Sequence, residues 1–291
     1  MNVLVCIVNY NSKDHLKNCL MSLGKFENNV RIAVLDNASY DGAADMLKKD
    51  FKEVIIYESN KNLGFGGGQN IIFRKERADY YLVLNPDTLF EEEVIETMIL
   101  LMEKNPKCGI ASCKILDFDG KLQPNAGDLP WGWALINWLF NLEVLGIKSS
   151  LHRNENSYYE SEHEVGWVSG NFMMIKKEVL QKLGGFNEDY FMYFEDVDIC
   201  QRAKKEGFKI MVNPKVSIKH LSGGSSSSTK FVQWSGEYRG LIYFYKFFSG
   251  ELAALIVRLL CYMSILLRIA GFTITGKINY SYIYGKVIIS I

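Results

Sequence analysis

Hydrophobic positions fall in short runs broken by polar turns from the N-terminus to Leu116. Residues 2–8, 30–35, 53–57, 80–84 and 108–116 have the length and the β-branched, aliphatic and aromatic content of strands. Between them the spacing is helical. Leu16, Cys19, Leu20 and Leu23 mark one helix, with Ser12 placed to cap it and Gly24 to end it. A second follows Asp41-Gly42 and carries Met46 and Leu47 on one face. A third buries Met98, Leu101 and Met102 as core, and its acidic start at Glu91-Glu92-Glu93 suits a helix N-terminus. This βαβαβ alternation with short links predicts an α/β fold with a mostly parallel, doubly wound sheet.

The second half is less regular. Residues 117–164 show no clear period, and a loop-rich insertion of that length is usually functional or mobile. Its Trp131, Trp133 and Trp138 fit stacking on a sugar, contact with lipid, or a local mini-core. Order returns at Val165, with a strand over 172–175 and a helix carrying Val179, Leu180 and Leu183 that Gly184-Gly185-Phe186 closes. A helix over 197–206 and strands over 208–213 and 216–219 follow, the last delivering His220. Residues 221–229 form a Gly/Ser stretch expected to be a flexible loop. Residues 252–267 are almost wholly apolar, but Arg258 interrupts them and Arg268 ends them. That falls short of the ~20 residues of a membrane span. An interfacial helix drawn to anionic lipid fits, the alternative being a helix packed on the domain.

Composition adds two constraints. At 48% hydrophobic and 23% charged, the chain is globular, with room for one large domain plus an appendage. Basic and acidic residues number 33 each, which argues against a general nucleic-acid partner. The balance hides a segregation: from Lys230 onward there are seven basic residues, two acidic ones and thirteen aromatics, a local charge of +5 against −5 on residues 1–229. Cys6, Cys19, Cys108, Cys113, Cys200 and Cys261 form no CxxC pair and read as small buried hydrophobes of a reducing compartment. Met1 to Val8 reads as a strand, without the basic lead or cleavage site of a signal peptide.

Candidate chemistry gathers where strands stop. Pro86 ends the run 80–84, so Asp87 sits just past the carboxyl end of a central strand, where open α/β sheets bind ligands. A carboxylate there suits a hard divalent cation, or it satisfies its own turn. Asp36 ends another strand in the same way. Gly64, Gly66, Gly67 and Gly68 would let backbone approach a ligand ahead of a helix running through Arg74, although the pattern is not the dinucleotide fingerprint. Residues 187–198 crowd acids among aromatics. Partly apolar surroundings raise a carboxyl pKa and make a better base, the plainer reading being helix capping.

Val8-Asn9-Tyr10-Asn11, Asp36-Asn37-Ala38-Ser39, Asn62-Leu63-Gly64-Phe65-Gly66, Asn85-Pro86-Asp87, Gly184-Gly185-Phe186 and Phe194-Glu195-Asp196-Val197-Asp198 occur in that order over residues 3–225. Together they resemble the family-2 glycosyltransferases of the GT-A fold, in particular the bacterial rhamnosyltransferase-like branch. The resemblance implies a catalytic domain over residues 1–229, with a nucleotide-sugar half (1–114) and an acceptor half (115–229), ahead of a helical membrane-associating tail (230–291) that it does not cover. It puts Asn9, Tyr10, Asp36, Asn37, Asn62, Gly64, Asn85 and Asp87 at the nucleotide-sugar. Asn85 and Asp87 stand where the family keeps its DxD motif, the first acid being Asn here, so Asp87 and His220 are the expected ligands of Mg²⁺ or Mn²⁺. Asp196, with Glu195 as rival, is the expected base, and Trp167, Gly170 and Asn171 belong to the acceptor side. The implied reaction is inverting, metal-dependent transfer from dTDP-rhamnose or a UDP-sugar to a hydroxyl of a lipid-linked glycan, at the inner face of a bacterial membrane. Two other readings are a sugar-phosphate nucleotidyltransferase, which lacks its basic glycine-rich signature here, and a catalytically dead nucleotide-sugar scaffold.

Overall fold

Alternate residues of the first strand belong to different cores. In β1 (Val3–Asn9), Leu4, Cys6 and Val8 face one side of the sheet and Val3, Val5 and Ile7 the other, as strand geometry requires. The computed structural model describes residues 1–291 apart from 28, 149 and 222–229. After β1 come α1 (Lys13–Phe26), β2 (Arg31–Asp36), α2 (Ala43–Asp50), β3 (Ile55–Glu58), α3 (Gly64–Lys75), β4 (Tyr80–Leu84), β5 (Thr88–Leu89), α4 (Ile95–Lys104) and β6 (Cys108–Leu116). Then follow β7 (Ala126–Gly127), α5 (Trp133–Phe140), β8 (His163–Val165), β9 (Trp167–Val168), β10 (Phe172–Lys176), α6 (Lys177–Leu183), α7 (Glu195–Lys205) and β11 (Lys209–His220). Helices α8 (Lys230–Ser249), α9 (Glu251–Ile274) and α10 (Ile278–Ser290) complete the chain.

The main sheet runs β3-β2-β1-β4-β10-β6-β11-β5, with β8 added on β11. Strands β3, β2, β1 and β4 are parallel, as are β6 and β11, which gives the expected doubly wound half. β10 is inserted antiparallel between β4 and β6. Its residues 172–175 are buried on both faces, so hydrophobic pattern carries no direction. The two strands expected over 208–213 and 216–219 are one strand, β11, with an irregularity between Asn213 and Ser217. All six cysteines are buried free thiols.

Three local expectations change. Helix α1 runs through Gly24 to Phe26. The glycines at 64, 66, 67 and 68 lie inside α3, and what approaches them is the protein itself. A Cβ on Gly68 would stand 2.8 Å from Val8, and one on Gly66 2.9 Å from Phe186. Helix α4 starts at Ile95, and the carboxylate at its N-terminus is that of buried Glu27, which accepts from Val94 N–H (2.6 Å) and Ile95 N–H (2.9 Å). Glu91 and Glu92 turn instead to Lys219 and Ser217 on β11. The Gly/Ser segment expected to be flexible lies, from 222 onward, outside the described residues.

The insertion at 117–164 is a packing layer that receives the tail. Trp131 packs on Phe244, Tyr245 and Phe248 of α8, and Trp138 on Tyr238, so neither is a sugar platform. Trp133 remains exposed. Helix α9 extends past Arg268 to Ile274, 24 residues in all, and among the described residues it is the one helix long and apolar enough to cross a membrane. Arg268 does not end it. The guanidinium turns inward to the carbonyls of Leu139 and Trp138, the last turn of α5, where a cation is favoured.

The glycines make opposite predictions. Gly64 has φ +76° and its Cβ would meet Phe191 O at 2.0 Å, so Gly64→Ala should lower stability by more than about 2 kcal/mol. Gly24 sits in a helix with nothing within 4 Å, so Gly24→Ala should raise it by about 0.5–1 kcal/mol. Denaturant unfolding of both variants checks the pair.

Candidate active site

Three strand ends meet at the carboxyl edge of the sheet. The register of β1 with β2 sets Asn9 beside Asp36, and both are buried. Asn9 Nδ2 donates to Asp36 Oδ1 (3.2 Å) and Ser39 Oγ (3.1 Å), while Ser39 N–H donates to Asp36 Oδ2 (3.1 Å). Asn9 Oδ1 is buried with no hydrogen bond from a described residue. Asn37 Nδ2 donates to Asn62 Oδ1 (3.0 Å) and Gly64 O (3.1 Å), and Asn37 Oδ1 accepts from Leu63 N–H (2.9 Å). The structure thus brings Asn9, Asp36, Asn37, Asn62 and Gly64 together, with Tyr10 half-buried at the rim. The side-chain amide of Asn37 is spent on these loops, so its role is to fix the backbone at the N-terminus of α3.

A second cluster forms after β4. His220, at the end of β11, pairs in register with Thr88 of β5, which carries its ring to Asp87. Nε2 lies 3.2 Å from Asp87 Oδ1, and both residues are buried. Nδ1 lies 2.7 Å from Gln123 Oε1. An amide oxygen only accepts, so Gln123 Oε1 takes the Nδ1–H and orients the ring with Nε2 towards the Asp87 carboxylate. An imidazole nitrogen and a carboxylate oxygen 3.2 Å apart, with the ring oriented from behind by Gln123, are a donor set that fits a divalent cation. Among the described residues no third His, Cys, Asp or Glu joins them, so the rest of any coordination shell would come from substrate and water. Asn85 Nδ2 donates to Asn171 Oδ1 (3.0 Å) and lies 3.4 Å from His220 Nε2, which ties Asn171 to this cluster and not to the acceptor side alone. A cavity of about 200 Å³ adjoins Asp87, lined also by His15, Asn18, Phe118 and Leu221. The larger cavity, about 650 Å³, opens by Asn2, Asp79 and Lys177 at the opposite ends of β1 and β4 and holds none of these groups.

The third group is at the start of α7. Tyr193 and Phe194 both have φ of 74°, a left-handed pair costly for bulky residues, and they turn the chain so that Glu195 and Asp196 open the helix. Asp196 Oδ2 accepts from Gly170 N–H (3.3 Å) and Oδ1 from Val197 N–H (2.8 Å). Burial pushes its pKa up to about 6, so the group is ionised at neutral pH and still basic. Glu195 is more deeply buried, its Oε2 takes no hydrogen bond from a described residue, and burial together with the Asp196 charge drives its pKa well up. The environments split the two acids: burial and the Asp196 charge disfavour the charged form of Glu195 more than that of Asp196, which has two backbone donors. Asp198 pairs with Arg202 (2.7 Å), whose other nitrogens donate to Leu183 O and Gly185 O, so this acid holds the Gly184-Gly185 turn. Asp189 is exposed and receives the Tyr243 hydroxyl.

Trp167 requires a correction as an acceptor residue. It is buried, its Nε1 donates to Leu151 O (2.9 Å) and its ring meets His152 edge-on, so it packs the insertion instead. Gly170 lies against the Phe65 ring, where a Cβ would stand 2.8 Å away. Sequence reasoning missed Gln123, which follows β6 in an aperiodic stretch and carries no local signal of its partner 97 residues on.

The model of the family described as "Glycosyl transferase family 2" matches residues 4–184. The chain is 29% identical over 239 residues to N-acetylglucosaminyl-diphospho-decaprenol L-rhamnosyltransferase of Mycobacterium tuberculosis, covering 76% of each protein. It is 26% identical to rhamnosyltransferase WbbL of Escherichia coli, over 80% of this chain and 89% of that one. Among solved structures, the mannosyltransferase PcManGT of Pyrobaculum calidifontis, in complex with GDP-Man and Mn²⁺, superposes with a TM-score of 0.60 at 14% identity, over 99% of this chain and 85% of that one. S. aureus TarS in complex with UDP-GlcNAc gives 0.59 at 14% identity, over 99% and 79%. At that identity the structural likeness speaks for the fold alone. With a family match across most of the sheet and a GT-A architecture around it, the chain belongs to glycosyltransferase family 2, in its rhamnosyltransferase-like branch.

Proposed function

We propose that the protein transfers a sugar, with inversion, from a nucleoside-diphosphate donor to a hydroxyl of a lipid-linked glycan. The observation that carries this reading is the Asp196 carboxyl, held by Gly170 N–H in a site that also contains the Asp87–His220 pair. The donor lies over the strand ends at Asn9 and Asp36. Asp196 takes the proton of the acceptor hydroxyl as its oxygen attacks the anomeric carbon. The bond from that carbon to the diphosphate breaks, and the electron pair leaves with the nucleoside diphosphate. A single displacement of this kind inverts the anomeric centre, and general-base assistance contributes about 10²–10⁴-fold. Asp87 and His220 would hold Mg²⁺ or Mn²⁺, which when bound neutralises the diphosphate charge.

Rhamnose from dTDP-rhamnose is the donor we favour, because the relatives at 29% and 26% identity are rhamnosyltransferases. A polyprenyl-linked sugar is the favoured acceptor, by likeness to the substrate in the mycobacterial relative's name. Residues 1–229 carry the reaction in this reading, and 230–291 hold it at the membrane. Leu252, Leu255, Ile256, Leu259, Met263, Leu266 and Leu267 are each more than half exposed and recur on one face of α9, opposite the buried Ala254, Val257, Cys261 and Ile265. An exposed apolar stripe on a tail of charge +5 suits the surface of an anionic bilayer.

Binding of dTDP-rhamnose should exceed that of UDP-glucose, UDP-galactose and UDP-N-acetylglucosamine and should collapse on chelation, as calorimetry with and without Mg²⁺ or Mn²⁺ would reveal. Failure to bind any of them would leave Asp36 and Asp87 as structural residues. Asp196→Asn should keep donor binding and lose transfer by about 10²–10⁴-fold. Near-normal turnover would move the role to Glu195. Because the base works ionised and its pKa is raised, wild-type kcat/KM should fall as pH drops through about 6, and not through the ordinary aspartate range near 4. Cosedimentation with anionic vesicles should be strong in the full chain and weakened by Leu259→Glu, with zwitterionic vesicles binding less in both.

A further inference from the structure

The turn that presents the base is one its own sequence disfavours. Tyr193 and Phe194 both hold a φ of 74°, and Phe194 is the N-cap of α7. Its side chain has no atom with which to cap, where Ser, Thr, Asp or Asn would accept from the first helical N–H groups. Bulky residues in the left-handed region persist only where their surroundings over-determine them. Here α8 supplies much of those surroundings. Gly236, Gly240, Tyr243 and Phe244 fall on one face of that helix at helical spacing, and each meets the segment 189–194. A Cβ on Gly236 would stand 2.5 Å from the Tyr193 ring and 3.1 Å from Met192 O. One on Gly240 would stand 2.6 Å from Phe194 Cβ and 3.0 Å from Tyr193 O. The Tyr243 ring meets Tyr190 edge-on, its hydroxyl donates to Asp189, and the Phe244 ring meets Phe194 edge-on. From Phe194 the chain runs straight into Glu195 and Asp196, so a shift of the turn is a shift of the carboxyl that Gly170 N–H holds.

We propose that Gly236 and Gly240 are positioning residues for sugar transfer: by admitting α8 onto Tyr193 and Phe194, they hold the Asp196 carboxyl in place at Gly170 N–H. The reading rests on the transferase function proposed above and deepens it. Neither glycine touches substrate. Each acts through the turn, because only a residue without a side chain lets the helix lie against it this closely. The tail is then needed for the chemical step itself, apart from any contact it makes with a bilayer.

The test uses the full chain with dTDP-rhamnose and a panel of alkyl glucosides, galactosides and N-acetylglucosaminides, with and without a linking diphosphate. The glycoside that the wild type glycosylates fastest is taken forward, and kcat and acceptor KM are read separately. Gly236→Ala and Gly240→Ala should each lower kcat by about 10–100-fold, the scale of a misplacement of about 1 Å, with donor binding, acceptor KM and vesicle cosedimentation unchanged. Gly285→Ala, in α10 with nothing within 4 Å, should leave kcat as it is. Tyr193→Ala removes the half-buried ring that the new Cβ at 236 would meet, so in that background Gly236→Ala should cost much less of kcat than in the wild type. If Gly240→Ala does not fold, this cycle on Gly236 and Tyr193 decides alone. A merely structural role would lower the melting temperature and leave the kcat of the folded enzyme intact. That result, or an equal kcat loss in both backgrounds, overturns the proposal. A wild type that binds donor but glycosylates nothing in the panel overturns the transferase reading and this one with it, whereas wild-type transfer with kcat intact in Gly236→Ala overturns this one alone.

Discussion

A side chain at Gly64 would stand 2.0 Å from the carbonyl oxygen of Phe191, and that close approach is what the two halves of the site depend on. The N-terminus of α3 follows β3 and Phe191 precedes α7, and Phe65 N–H donates to Phe191 O across the seam between them (3.0 Å). Six residues on, Asn70 closes the same seam: its amide accepts from Phe186 N–H (2.8 Å) and donates to Phe186 O (2.9 Å). Buried backbone groups must be paired, so these contacts fix the position of the segment leading to Asp196. The Phe65 ring lies beneath Gly170, whose N–H holds the Asp196 carboxylate. The glycine-rich helix start is therefore a plate without side chains, on which the segment leading to Asp196 lies against the loop that Asn37 and Asn62 hold.

Electrostatics then assigns the acids. Four carboxyls lie between Asp189 and Asp198, and composition treats them alike. Asp198 is neutralised by Arg202, Asp189 is at the surface on Tyr243, and Glu195 is buried without a hydrogen bond to Oε2 from a described residue, its charged form disfavoured. Only Asp196 combines backbone donors with a pKa near 6. The difference comes from what surrounds each group, since the side chains are nearly the same.

The tail joins both arguments. Its inner faces continue the core of the catalytic domain through Tyr238, Phe244, Val257 and Cys261, and Arg268 closes the last turn of α5. Its outer face leaves a helical stripe of leucine, isoleucine and methionine in solvent. A helix apolar on both sides cannot satisfy both against one domain, and the outer face is the one the proposed membrane contact would use.

The sequence by itself determined the order of strands and helices in the first half, the three strand ends carrying Asn9, Asp36 and Asp87, and the concentration of acids before α7. Those follow from local rules: short apolar runs that suit buried strands, a proline that stops a strand, and turns that must be polar. Only the tertiary structure decided the antiparallel insertion of β10, the pairing of His220 with Gln123, the removal of Trp167 into the core and the seating of α8 on Tyr193 and Phe194. Each of these joins residues far apart in the chain, and a residue's own type says nothing about its distant partner. The glycines of α3 make the same point. Their smallness is visible in the chain, but whether a ligand or the protein's own backbone fills the space is settled by which segments folding brings against them.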